Sequence, residues 1–197
     1  MFRLKHGVIF LCIVCMLLLG LVGCGGFDNK SPEAVVKSMI KAYQDQDQET
    51  VEKCLGITED QKADEEIQKE IDYNMSLFKA HKADKISFEK AEALGDYKDS
   101  HLIYVWFNYE IKGEKDKQLF PCLSFYFVNG EEKDYFVVPA RDVDEEMSQY
   151  SREEYGKFKK TDIYGKYQEA YTKFKEDNPD YKEELDENFK ALQNEKK

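Results

Sequence analysis

Two imidazoles and two thiols in the body of the chain, His81, His101, Cys54 and Cys122, are its first candidates for chemistry. Neither histidine has a second His or Cys at the short spacing that structural or catalytic zinc requires. A Gly-x-Ser-x-Gly elbow, a phosphate-binding loop and a His-Glu-x-x-His helix are all absent from the sequence. A cysteine activated by a histidine is a workable nucleophile, but nothing in the spacing brings these together. The 40 Asp and Glu residues offer many carboxylates. A catalytic pair of them needs convergence in a pocket and shifted pKa values, which spacing does not reveal. No residue is therefore assigned a catalytic or metal-binding role, and no cofactor is expected. The chain reads as a binding or structural protein before it reads as an enzyme.

A different kind of chemistry is written at the start. Arg3, Lys5 and His6 form a positive opening, residues 7–22 are uncharged and mostly apolar, and Leu21-Val22-Gly23-Cys24 follows. This order of positive start, apolar centre and small residue before the cut is that of a secretory signal. As a helix the apolar stretch would rise roughly 24 Å at about 1.5 Å per residue. A hydrocarbon core about 30 Å thick asks for more, so a permanent span is the weaker reading. Leu21-Val22-Gly23-Cys24 resembles the lipobox of bacterial lipoproteins. That resemblance implies a diacylglyceryl group on the Cys24 sulfur, cleavage of residues 1–23, and residence on the extracytoplasmic face of the cell membrane. Two acyl chains suffice for stable anchoring. Residues 24–30 then read as a short lipidated tether.

The formal net charge is −11, and loss of Arg3 and Lys5 makes the mature chain more acidic still. Such a surface repels nucleic acid and anionic headgroups, so nucleic acid is not an expected partner. With 13 Tyr and 13 Phe the chain is rich enough in apolar surface to fold. Cys12 and Cys15 leave with the signal, which leaves Cys54 and Cys122 as either a disulfide, natural for an exported protein, or two buried thiols.

Along the folded part the hydrophobic period changes once. Ser31-Pro32-Glu33 combines an N-cap, a first-position proline and a first-turn acid, and Val35, Val36, Met39, Ile40 and Tyr43 follow at helical spacing. A short second helix carries Val51, Cys54 and Leu55 and ends at Gly56. Thr58-Glu59-Asp60-Gln61 fits a capping box and predicts a third helix with Ile67, Ile71, Met75 and Phe78 on one side. From about residue 85 the pattern turns to strands: 86–91, ended by Gly95-Asp96; 102–111; 119–128; and 135–139, with Asn129-Gly130 opening a tight hairpin and Pro139 ending the ladder. Helices first and four antiparallel strands after them make an α+β order.

This order, the opening Ser-Pro-Glu-Ala-Val-Val-Lys and the polar run 44–48 resemble small bacterial lipoproteins with an NTF2-like (cystatin-like) domain, over residues 31–142. The resemblance implies a curved sheet wrapped on helices, often around a cone-shaped pocket, and in some members a carboxylate and a tyrosine working in that cone. Tyr104, Tyr109, Tyr126 and Tyr135 are the strand tyrosines available for it. Beyond the domain, residues 143–197 form a helical extension, with Tyr164, Tyr167, Tyr171 and Phe174 on one face and a break at Asp177-Asn178-Pro179.

Residues 102–107 are apolar on both faces, where a half-solvated strand would alternate. The helices cover one face; the other needs the C-terminal extension or a second copy of the chain. Function is expected to be non-enzymatic binding of a small ligand, a peptide or an envelope glycan between helices and sheet, with Tyr104, Trp106, Tyr109, Phe125, Phe127 and Tyr135 as contact surfaces. The alternative is a structural module that docks another envelope protein through the sheet face or the C-terminal helices.

Overall fold

The computed structural model describes residues 26–58, 60–112 and 117–195. The expected signal, residues 1–23, and the expected lipidation at Cys24 lie outside the described residues. Among the described residues no helix is long and apolar enough to cross a membrane.

Helices α1 (Pro32–Asp45), α2 (Gln48–Cys54) and α3 (Glu65–Ala80) come first. Strands β1 (Lys85–Tyr97), β2 (Ser100–Lys112), β3 (Lys117–Asn129) and β4 (Phe136–Val137) then form one antiparallel sheet in sequential order. After a 3₁₀ turn at Ala140–Asp142 the chain adds α4 (Glu145–Phe158), α5 (Asp162–Asp177) and α6 (Tyr181–Glu195).

Local chemistry sets most boundaries. The Ser31 side chain accepts from the Ala34 amide, and Pro32 occupies the first helical turn of α1. The capping box expected at Thr58 does not open α3. Asp64 caps it instead, accepting from the Glu66 and Ile67 amides. The reason is the apolar stripe, which starts at Ile67; a helix begun at Thr58 would add over a turn with no buried face, whereas Asp64-Glu65-Glu66 places three acids against the positive end of the dipole. The tether is also shorter than composition suggests. The Asp28 amide donates to Ser38 Oγ at 3.0 Å and the Asn29 carbonyl accepts from the Tyr135 amide at 3.1 Å, so residues 28 and 29 are docked on the fold.

Strand β2 sits in the centre, and its two faces go to two different cores. Ile103, Val105, Phe107 and Tyr109 point to α1, α2 and α3, where they meet Val36, Met39, Ile40, Ile71 and Phe78. Leu102 faces the other way, with Phe127 and Met147, and Tyr104 follows it under Phe158 at 4.6 Å between ring centroids. The C-terminal extension is thus the cover on that second face. Helix α4 lies over Leu102, Tyr104 and Phe125. Helix α5 brings Tyr167 beside Trp106 and Phe174 against Phe120, and α6 returns to α3 through Phe189 on Tyr73 and Asn188 on the Ala80 carbonyl. The extension therefore passes from one face of the sheet, past β3, to the helices on the other. Its buried anchors Met147, Phe158 and Phe174 each contribute about 1.5–3 kcal/mol.

Three strand-level expectations change. Gly95 does not end β1, which continues to Tyr97; it lies at a register shift between Ala93 and Gly95, opposite Leu102. The turn comes later, with Lys98 at φ 54°. Asn129-Gly130 opens a longer connection, with positive φ at Gly130, Glu132 and Lys133, and not a two-residue hairpin. Strand β4 is reduced to two paired residues, Phe136 and Val137, plus the Val138 amide donating to the Phe127 carbonyl at 2.9 Å.

Gly95 has a specific job, because a Cβ there would lie 2.3 Å from the Tyr150 hydroxyl oxygen on α4. Gly95→Ala should lower stability by about 1–3 kcal/mol, the usual cost of overpacking. Tyr150→Phe, which removes the clashing oxygen, should recover most of that loss in the double variant. Urea denaturation of the two single variants and the double variant checks both.

Candidate functional site

Helix α1 carries Tyr43 on its buried stripe, and α3 carries Glu70 and Asn74 four residues apart on one flank. Strand β3 carries Tyr126 on the face toward those helices, paired with Ile103. These four side chains line one wall of a cleft of about 360 Å³. Ser148 and Ser151, a turn apart on α4, line the opposite wall, and Met39, Leu102, Phe125, Phe127, Val137 and Val138 supply apolar surface between.

The position follows from the short β4. Strand β3 has a strand partner on that side only at Val128 and Asn129, so residues 125–127 border the gap between the first helical layer and α4. Backbone polar groups alternate direction along a strand. The Phe127 carbonyl points to the β4 side, so that of Phe125 points the same way, toward the cleft.

Electrostatically the polar wall is a donor–acceptor set. Burial raises the Glu70 carboxyl above its ordinary range, with Asp142 adding to the effect, while the Ala140 amide, donating to Oε2 at 3.0 Å, and the charge of Arg141 pull it back. Burial holds the Tyr43 and Tyr126 hydroxyls far above the usual tyrosine range, and Glu70 pushes both further. Both phenols therefore keep their protons at neutral pH, and each hydroxyl can donate and accept. The Asn74 amide stands against the Tyr43 hydroxyl, and Ser124 against that of Tyr126. A half-buried carboxylate beside phenol hydroxyls can recognise a polar group presented by an otherwise apolar molecule.

Of the six contact residues expected from sequence, Phe125 and Phe127 line this cleft. Tyr104 is buried beneath Phe158 and donates to Glu92 Oε2 at 2.9 Å. Trp106 packs edge-on to Tyr167, with its indole N–H buried and without a hydrogen-bond partner among the described residues. Tyr109 lies in the first core between Phe78, Phe107 and His81, and Tyr135 packs near His101. Tyr43, Glu70 and Asn74 were not singled out by sequence. Tyr43 reads as one more apolar position of α1, and Glu70 and Asn74 resemble any polar pair beside a stripe. Their only sequence signal is that i, i+4 placement next to Ile67 and Ile71.

Cys54 and Cys122 are both free thiols. Of the two options open from sequence, the structure has the thiols: Cys54 ends α2 beneath the helical core, while Cys122 stands in mid-β3 opposite Phe107, each packed among apolar side chains. Burial pushes Cys54 up to about 12 and Cys122 up to about 11, so neither is a thiolate at neutral pH. Among the described residues no three His, Cys, Asp or Glu side chains are grouped to hold a metal ion.

His81, at the end of α3, is buried rather than solvated. It stacks on Tyr109 at 3.8 Å between centroids, and its Nδ1 lies 2.7 Å from the Tyr181 hydroxyl. Burial lowers it from 6.5 to about 4. The imidazole is thus neutral, and its Nδ1 shares a hydrogen bond with the Tyr181 hydroxyl, whose pKa burial raises.

No family model, no curated protein and no solved structure matches this chain. What the fold itself defines is an α+β domain built on an open four-stranded antiparallel sheet.

Two outcomes follow. Labelling of the denatured, unreduced residues 25–197 should report two reactive thiols, and the native form should label far more slowly. His81 binds a proton more readily unfolded than folded, so its contribution to stability is complete above about pH 6.5 and is lost as pH falls toward 4. In denaturant titrations across that window, the stability advantage of the wild type over His81→Phe should shrink by up to about 3 kcal/mol.

Proposed function

We propose that this chain is an exported lipoprotein, held on the outer surface of the cytoplasmic membrane through lipid on Cys24, and that its folded part binds a small ligand in the cleft between α1, α3, β3 and α4. The folded part is of NTF2-like type on this reading. Support for that comes from the helix-then-sheet order, from the helices packed on one face of the sheet, and from a cleft opening at their seam. The observation that carries the binding function is the composition of the cleft. Tyr43, Glu70, Asn74 and Tyr126 set polar groups into a wall otherwise made of Met39, Phe125, Phe127 and Val137. Packing alone does not call for them, since each polar group set in such a wall needs a partner there, as Glu70 has in the Ala140 amide, and an apolar side chain needs none.

The alternative, a module docking another envelope protein through the sheet, has less room. The sheet face it would use carries Met147, Phe158 and Tyr167 from the chain's own extension. Only the outer surfaces of the C-terminal helices remain for a partner, and these are rich in Lys and Glu.

Native mass spectrometry on residues 25–197, purified without denaturation from bacterial cells, tests the binding role. The expected result is a population carrying an extra small-molecule mass that denaturation removes and that Glu70→Gln or Phe125→Ala depletes. A single species at the sequence mass, unchanged after incubation with an extract of bacterial small molecules, would turn attention to protein partners.

A further inference from the structure

Taking the cleft as a binding site, the charges around it narrow the ligand. We infer that it holds a small molecule joining an apolar, preferably aromatic, body to a protonated amine, with the ammonium on Glu70 and the Tyr43 and Tyr126 hydroxyl oxygens, and the body on Phe125 and Phe127.

Three observations converge on a cation. Glu70 lines the cleft with a single peptide N–H, that of Ala140, as its described hydrogen-bond donor. The nearest basic side chain, Arg141, is committed elsewhere: its guanidinium donates to Asp64 and pairs with Asp142 at 3.5 Å. Lysines do not line the cleft, and Asp142 adds negative potential beside it. The site is therefore a carboxylate in a partly desolvated place whose nearby cation, Arg141, acts on it only through its charge while its direct contacts go to Asp64 and Asp142, and a ligand ammonium would supply the direct partner. An anionic ligand would meet the Glu70 and Asp142 carboxylates, with Arg141 already engaged by Asp64 and Asp142. Phenol oxygens accept from ammonium as readily as they donate elsewhere, and aromatic faces attract cations. The volume of about 360 Å³ suits a single-ring amine and no large ligand.

The test compares three probes of nearly one shape on residues 25–197, which contain every element of the described fold: 2-phenylethylamine, 2-phenylethanol and 3-phenylpropanoate. Binding is followed at pH 7 and low salt by titration into protein labelled with ¹⁹F-tyrosine, with the tyrosine signals reporting the place of binding. The amine should bind at least about tenfold more tightly than the alcohol, the factor expected for one charge-assisted hydrogen bond, and the carboxylate should not bind. Glu70→Gln keeps an acceptor for the Ala140 amide and should fold normally. It should bring the amine down to the affinity of the alcohol. Phe125→Ala should weaken amine and alcohol alike. Equal binding of amine and alcohol to the wild type, or an amine preference that survives Glu70→Gln, overturns the inference while leaving the cleft a ligand site. Preferential binding of the carboxylate overturns it as well. No response to any probe at millimolar concentration removes the amine and leaves native mass spectrometry to decide whether the cleft binds anything.

Discussion

The structure depends on one strand that must be dry on both sides. Strand β2 presents Ile103, Val105, Phe107 and Tyr109 to one face and Leu102 and Tyr104 to the other, and every one of them is buried. Each large apolar side chain contributes about 1.5–3 kcal/mol when removed from water, so leaving either face open would forfeit a sum comparable to the whole stability of a domain. Two covering layers are therefore obligatory. The helices before the sheet provide the first and the helices after it the second, which makes the C-terminal extension part of the folding unit and not an appendage.

The same constraint explains where the cleft lies. Each layer is optimised against its own face of β2, and the two meet only beyond the edge of β3. There β4 stops after two residues, and Pro139 begins the turn toward α4. Neither layer has side chains long enough to close that seam completely. What projects into it from the first layer is Tyr43, Glu70 and Asn74, and from the second Ser148 and Ser151. The gap is a consequence of three-layer packing; its polar lining is not, and that distinction is the reason for reading it as a site. His81 marks the opposite outcome at the far end of β2, where α6 closes the seam. There the polar atom is satisfied by the Tyr181 hydroxyl and the ring is stacked on Tyr109.

The extension also shows how a close approach is encoded. Helix α4 reaches the sheet at Gly95, where the absence of a side chain admits the Tyr150 ring, and the Tyr97 hydroxyl and Lys98 ammonium both reach Glu146 on the same helix. An isolated glycine in a strand is ambiguous by sequence, since it reads equally as a stop or as a place where something comes near. Here the packing partner lies more than fifty residues away, so local pattern favours the wrong choice. The third helix tells the same story. Thr58 has the better capping box by pattern, and Asp64 wins because only from that point does α3 have a face to bury.

Local rules were enough for much of the architecture. Periodicity of 3.6 or 2 residues distinguished helices from strands, Ser31-Pro32 marked the first cap, and the two apolar faces of residues 102–107 required a second cover. These features are legible because each depends on residues within a turn or two of one another. The proposed lipid anchor is a reading of a different kind, because an enzyme outside the chain would have to recognise Leu21-Val22-Gly23-Cys24 as linear sequence. Tertiary structure decided that the extension supplies the second cover, that Cys54 and Cys122 stay apart, that His81 is buried, and that Tyr43, Glu70, Asn74 and Tyr126 meet in one wall. Each depends on which elements end up adjacent across the sheet, and that adjacency is set by burial summed over the whole chain, which no short stretch of sequence contains.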